Sequence, residues 1–193
     1  LAPFADGVRE KQLRTPVADE APVLITVGRL AKEKNIEEIL ELLADARGQQ
    51  YRYLLVGDGP YLEVLEAKVQ ALGLTDRVTF AGMVPPEQVA SYYNKGAIFV
   101  CASGSETQGL TYIEALASGL PLVCHKDVCL EDVLTDGYNG WQYENAQGFF
   151  DGLENLWKSG DVYREASAHA AEQAHIFSAA HFAEQVEHVY RLG

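Results

Sequence analysis

Short β-branched apolar runs alternate with amphipathic stretches along most of this chain, and that alternation restricts the possible folds more than any other feature. The runs are VLITVG (Val23 to Gly28), YRYLLVG (Tyr51 to Gly57), RVTFAG (Arg77 to Gly82), AIFVCA (Ala97 to Ala102) and LPLVCH (Leu120 to His125), with GWQY (Gly140 to Tyr143) as a candidate sixth. Most are apolar along much of their length and bounded by glycine or proline, the signature of strands buried on both faces. Between them, apolar residues recur at helical spacing: Ile36, Ile39, Leu40 and Leu43, then Leu62, Leu65, Val69 and Leu72. Asn35 with Glu38 three residues on predicts a capped helix start, PPEQVASYYNKG a short helix opened by prolines, and a further helix runs from about Gly109 through Ser118. Strands alternating with helices predict an α/β, Rossmann-like doubly wound parallel sheet of about six strands, with ligands beyond the carboxyl ends of the strands.

The pattern changes from Gln147 onward. Phe149, Phe150, Leu153 and Leu156 form one helical stripe and Phe182, Val186, Val189 and Tyr190 another, which predicts C-terminal helices without strands. His169, His175, His181 and His188 lack metal-helix spacing and read as solvated surface residues. Leu1 to Ala21 is polar and carries prolines, so residues 1–22 are expected to be a linker, 23–176 the ligand-binding domain and 177–193 a terminal helix. A chain starting at Leu1 is expected to be a fragment, and the apolar stripe of its last helix would offer a dimer contact.

Composition narrows the partners. Fifteen basic residues against 28 acidic ones give a net charge of −13, which argues against general affinity for nucleic acid or anionic lipid. No apolar run approaches spanning length. Three cysteines, Cys101, Cys124 and Cys129, are an odd number without zinc spacing and read as apolar fillers in a reducing compartment.

Chemistry is therefore sought in the strand-end loops. GRLAKEKN places Arg29 and Lys34 between a strand end and a helix start, where an anion is favoured; a solvated basic loop accounts for them equally well. GDGP is not a dinucleotide fingerprint, since Leu62 stands where the third glycine would fall; Gly57 and Gly59 are read as permitting a tight turn close to a ligand. GMVPP (Gly82 to Pro86) offers an apolar residue to a planar base, or is a plain strand-to-helix turn. In SETQGLTYIEALASGLP, the amides of Gln108, Gly109 and Leu110 at a helix start, with the Thr111 hydroxyl, suit a phosphate. Glu106 and Glu114 on either side can each accept from adjacent hydroxyls, as a hexose and a ribose present them. Together they suit a nucleotide sugar; an acid near a helix start is also favoured by the dipole alone.

GRLAKEKN, GDGP, GMVP, SETQGLTYIEALASGLPLV and DGYNGW, in this order, resemble the carboxyl-terminal, donor-binding half of retaining GT-B glycosyltransferases, and the Glu-x7-Glu pair of Glu106 and Glu114 is similar to that family's signature. The resemblance runs from about Val23 to the final helix. It implies that Gly28 lies at the donor, that Arg29 and Lys34 bind the diphosphate and stabilise the leaving group in place of a metal, and that Glu106 meets the transferred sugar. It implies further that Glu114 holds the ribose, that Gln108 to Leu110 with Thr111 bind phosphate and sugar oxygens, and that Val84 frames the base. No D-x-D motif is present, so no cofactor beyond a nucleotide sugar, UDP-glucose by this likeness, is implied.

A narrower similarity, SETQGLTYIEALASGLPLV followed by DVCLEDVLTDGYNGW, is to bacterial glycolipid synthases that move glucose to diacylglycerol or its monoglucosyl derivative. It implies a cytoplasmic enzyme peripheral to the membrane, with lipid contact through an amino-terminal half and little activity from this segment alone. Transfer to a cell-wall or capsular polysaccharide, a nucleotide-sugar 2-epimerase-like enzyme and a non-catalytic donor-binding module remain alternatives, and base, sugar and acceptor stay open.

Overall fold

The computed structural model describes residues 22–104 and 109–191, with side chains through residue 177. The linker expected over 1–22 lies outside the described residues except for Pro22, as do the side chains of Phe182, Val186, Val189 and Tyr190. Among the described residues the strands are β1 (Val23–Val27), β2 (Arg52–Val56), β3 (Val78–Phe80), β4 (Ile98–Cys101), β5 (Leu122–His125) and β6 (Gly140–Tyr143). They form a sheet in the order β3-β2-β1-β4-β5-β6, parallel throughout. This is the predicted doubly wound topology, with its reversal of strand order between β1 and β4.

The helices are α1 (Ile36–Ala44), α2 (Leu62–Ala71), α3 (Pro86–Tyr93), α4 (Leu110–Ala117), α5 (Ala146–Trp157) and α6 (Gly160–Arg191). Alternate side chains of each strand feed opposite layers, as the two-residue period of a strand requires. Leu24, Tyr53, Leu55, Ile98, Val100 and Val123 pack under α1, α2 and α5, where Ile39, Leu43, Leu65, Phe149 and Leu153 are fully buried. Ile25, Leu54, Phe99, Cys101, Leu122 and Cys124 face the other layer, built from Tyr93 of α3 and Tyr112, Ala115 and Leu116 of α4. Cys101 and Cys124 sit opposite each other on β4 and β5, buried and not joined in a disulfide, consistent with apolar fillers.

α6 is one helix from Gly160 to Arg191, so the boundary expected at residue 177 falls inside it. Nothing in that stretch breaks a helix: it holds no proline and no glycine after its first residue. It is tied to the amino ends of the central strands, where the Tyr163 hydroxyl donates to the Ala97 carbonyl at 2.8 Å and Ser167 Oγ to the Gly119 carbonyl at 2.7 Å. The opposite, carboxyl edge of the sheet is left to its loops. His169 departs from the solvated reading. It is half-buried, stacked on the Tyr138 ring with centroids 3.8 Å apart, and Nδ1 lies 3.1 Å from the Tyr138 carbonyl.

The predicted box at Asn35 does not form either. Asn35 is left-handed (φ 49°), closes a short turn over Lys32–Lys34 with its N–H on the Lys32 carbonyl, and donates Nδ2 to Glu38 Oε2 at 2.6 Å. A capping side chain reaches the first-turn amides from an extended backbone, which a left-handed residue does not have.

Candidate functional site

The loops after β1, β2 and β3 are knitted together at the carboxyl edge. Gly28 N–H donates to the Val56 carbonyl at 2.9 Å, Leu30 N–H to Asp58 at 3.0 Å, Tyr61 N–H to Leu30 at 3.1 Å and Gly57 N–H to Gly82 at 2.9 Å. A Cβ on Gly57 would stand 1.9 Å from the Gly28 oxygen, and one on Gly59 2.2 Å from the Leu30 oxygen. These glycines are therefore needed for loop against loop, a physical reason for glycine that needs no ligand.

That packing fixes the first part of the site. Leu30 and Ala31 are buried anchors, so Arg29 is held out at the rim and Lys34 half-buried one turn later. Between them lies a small cleft of ≈ 10 Å³ lined by Gly28, Arg29, Lys34 and Thr111 together with Phe99, Cys101 and Ala102. The cleft joins the end of β1 to the start of α4, across the switch in strand order, where an open α/β sheet is expected to take its ligand. Ser103, fully buried in the β4 loop, donates to the Glu33 carbonyl at 3.3 Å and holds the two loops together from the other side.

α4 supplies the second part. Gly109 is left-handed (φ 58°) and its carbonyl takes the first helical bonds, from Tyr112 N–H at 3.0 Å and Ile113 N–H at 3.3 Å. The amides of Leu110 and Thr111 in the first turn thus have no intrahelical acceptor, and the helix dipole favours an anion before them. Thr111 is half-buried against Gly28 across the cleft, while Leu110 is 58% exposed.

Glu114, one turn further, is half-buried, and its Oε2 accepts from the Tyr93 hydroxyl at 3.0 Å. Burial pushes the Glu114 carboxyl up from its ordinary range, while the Tyr93 bond works in the opposite direction. Tyr93 was legible in the sequence only as part of a short helix. Its inward position three residues after the buried Ala90 is the signal that marks it as facing the core.

The structure thus brings Gly28, Arg29, Lys34 and Thr111 to one cleft, with Gly109, Leu110 and Glu114 on the helix that ends there. Glu106 and Gln108 lie outside the described residues. Val84 is half-buried against the core layer of Tyr93, and the open side chain on its loop is Met83, 80% exposed. A larger hollow, ≈ 490 Å³, lies between α1 and α5. Its cation is already committed: Arg47 bonds Glu154, Asp151 and Gln147 and lies 4.8 Å over the Phe150 ring. Among the described residues no group of three or more His, Cys, Asp or Glu could hold a metal ion, and no helix is long and apolar enough to cross a membrane.

The family description "Glycosyl transferases group 1" matches residues 8–174. The alpha-monoglucosyldiacylglycerol synthase of Streptococcus pneumoniae is 34% identical over 188 residues, 96% of this chain and 42% of that protein. The enzyme of the same name from Acholeplasma laidlawii is 29% identical over 170 residues, 87% of this chain and 43% of that protein. The chain therefore spans less than half the length of these relatives. Among solved structures, the sucrose-phosphate synthase of Thermosynechococcus elongatus aligns with a TM-score of 0.79 and 28% identity over 97% of this chain and 48% of that one. The pneumococcal O-GlcNAc transferase GtfA, solved with UDP and GlcNAc, aligns at 0.75 and 23% identity over 92% and 37% and shares the fold.

Proposed function

The chain belongs to the group 1 glycosyl transferases, and from that premise we propose that it is the donor-binding half of a retaining hexosyltransferase using a UDP-sugar, UDP-glucose in the first instance. The observation that carries this reading is the single cleft joining Arg29 and Lys34 to Thr111 at the α4 start, with Glu114 one turn beyond. Two cations and a helix amino terminus suit a diphosphate, and a carboxylate nearby suits the ribose. In the transfer, the bond from the sugar anomeric carbon to the β-phosphate oxygen breaks and a bond to the acceptor oxygen forms. The acceptor's proton passes to the departing phosphate. Arg29 and Lys34 would offset the charge that develops on the diphosphate, which is where a fixed cation accelerates the step. Glu106 would contact the sugar, with Gln108 and Gly109 contributing amides and Val84 bordering the base. No cofactor or metal is required by this scheme.

The acceptor we propose is a membrane diacylglycerol lipid, met through a further part of the protein at the cytoplasmic face of a membrane. The two relatives' names support it. The −13 charge supports leaving the lipid contact to that other part.

Calorimetric titration with UDP, UDP-glucose, UDP-GlcNAc and GDP-mannose tests the donor. Binding of the uridine compounds is expected, and Arg29→Ala should lose about 1.5–3 kcal/mol, the range for a hydrogen bond to a charged group. Unchanged UDP binding by that variant removes Arg29 from the site, and no binding of any nucleotide overturns the reading. In the full-length enzyme Glu106→Ala should abolish transfer and keep UDP binding; full turnover would refute its role.

A further inference from the structure

The Tyr93–Glu114 pair joins two helices that the fold alone does not oblige to share a polar bond. Tyr93 closes α3 with its ring fully buried against Phe99, centroids 6.3 Å apart, and its hydroxyl emerges beside α4. There it lies 3.0 Å from Glu114 Oε2 and 3.4 Å from the Thr111 carbonyl. A hydroxyl has one proton to give, and the nearer, charged acceptor takes it.

We propose that Tyr93 is a positioning residue for donor binding: it fixes the Glu114 carboxylate through Oε2 and leaves Oε1 to accept from the vicinal hydroxyls of a ribose. This rests on the donor-site reading above and goes beyond it, because Tyr93 touches no part of the ligand. A carboxylate accepting from two adjacent hydroxyls must be ionised and held in one rotamer. Burial opposes the first and the side chain's free rotation opposes the second, and one buried phenol counters both. The Tyr93 hydrogen bond opposes the effect of burial on Glu114, while Arg29 and Lys34 line the cleft beside Thr111.

The test compares the unmodified chain with Tyr93→Phe, Glu114→Gln and the double variant, each first shown folded by circular dichroism. NMR titration of side-chain 13C-labelled glutamate, with the Glu114 signal identified by its loss in Glu114→Gln, needs no ligand. The Glu114 midpoint should rise in Tyr93→Phe, and an unmoved midpoint overturns the proposal. In calorimetry Tyr93→Phe should weaken UDP about tenfold, the change expected for one hydrogen bond to a charged group. It should leave 2′,3′-dideoxy-UDP unaffected and cause no further loss on top of Glu114→Gln. Equal losses for both nucleotides, or additive losses in the double variant, would mean a merely structural tyrosine. UDP binding that Tyr93→Phe leaves unchanged overturns the role of Tyr93 alone. No UDP binding by the unmodified chain overturns the donor site and this role with it.

Discussion

Replacing Gly57 by alanine should be among the most damaging one-carbon changes in the protein, for reasons that can be worked from the loop geometry. Gly57 has φ +134°, which an L residue reaches only under strain, at about 1–3 kcal/mol. The added Cβ would also stand 1.9 Å from the Gly28 carbonyl oxygen, a main-chain atom that cannot rotate away. Relief requires the β1 loop to retreat by more than an ångström. That endangers the Gly28-to-Val56 and Gly57-to-Gly82 hydrogen bonds, each contributing about 0.5–1.5 kcal/mol. The sum is about 2–6 kcal/mol, a large share of a typical stability of roughly 5–15 kcal/mol. Gly73→Ala is the control: its φ of +68° is also left-handed, but nothing lies within 4 Å, so only conformational strain of about 1–2 kcal/mol should appear. Urea unfolding followed by circular dichroism, with unchanged slopes, would measure both. Agreement of the two variants to within about 0.5 kcal/mol would refute the loop-packing account. A Gly57→Ala chain of normal stability that had lost UDP binding would restore the ligand-approach reading instead.

Other consequences follow from buried polar groups. Asn139 is fully buried, donating to the Val133 carbonyl at 2.9 Å and accepting from Thr135 N–H at 2.8 Å, so Asn139→Ala should cost about 2–4 kcal/mol in urea; a loss under about 0.5 kcal/mol would show the turn holds itself. Phe149, with no exposed surface between α5 and the sheet, should lose about 3–5 kcal/mol on truncation to alanine, and a near-neutral result would mean the layer collapses to fill the space. At high pH, Tyr51 is pushed up to about 12, by burial first and the Glu154 charge second, and burial raises Tyr53 in the same direction. Raised folded-state values mean stability fully present below about pH 10, where the unfolded tyrosines titrate, and lost as pH climbs through the folded values. The urea midpoint should therefore hold to about pH 9.5 and fall beyond it; a flat midpoint to about pH 11.5 would contradict the burial argument.

Much of the fold was legible because its strands are buried on both faces and so carry uninterrupted apolar runs. Even the four-residue GWQY proved a strand, the edge strand β6, with the Gly140 backbone against the Leu122 carbonyl. What misled was local and physical. Asn35 and Glu38 have the spacing of a capping box, but spacing does not reveal that Asn35 is left-handed, and that conformation turned a backbone cap into a side-chain pair. His169 had no partner in its own helix; the ring it stacks on belongs to Tyr138, 31 residues away, and no periodicity announces such a contact. The boundary expected at residue 177 followed the change in apolar stripe, whereas the absence of breakers from Asp161 to Arg191 was the stronger signal and points to the one helix α6.

At the site, sequence pattern put Gly28, Arg29, Lys34 and Thr111 together, and the structure lines one cleft with them, but the pattern does not say why they stay where they are. Arg29, Lys34 and Thr111 share a cleft as their motifs require, yet what holds Arg29 outward is the burial of Leu30 and Ala31 and the β2 loop bonded beneath them. GDGP, read as a tight turn near a ligand, packs its glycines against the first loop and buttresses it. Glu114 was legible because carboxylates at helix starts are conspicuous, whereas Tyr93 was not, because an aromatic residue on an inward helix face is the commonest of core features. The hydroxyl distinguishes it. A phenylalanine would fill the same space against Phe99, so selection for packing alone would not explain a phenol whose oxygen lies 3.0 Å from Oε2 of a half-buried carboxylate.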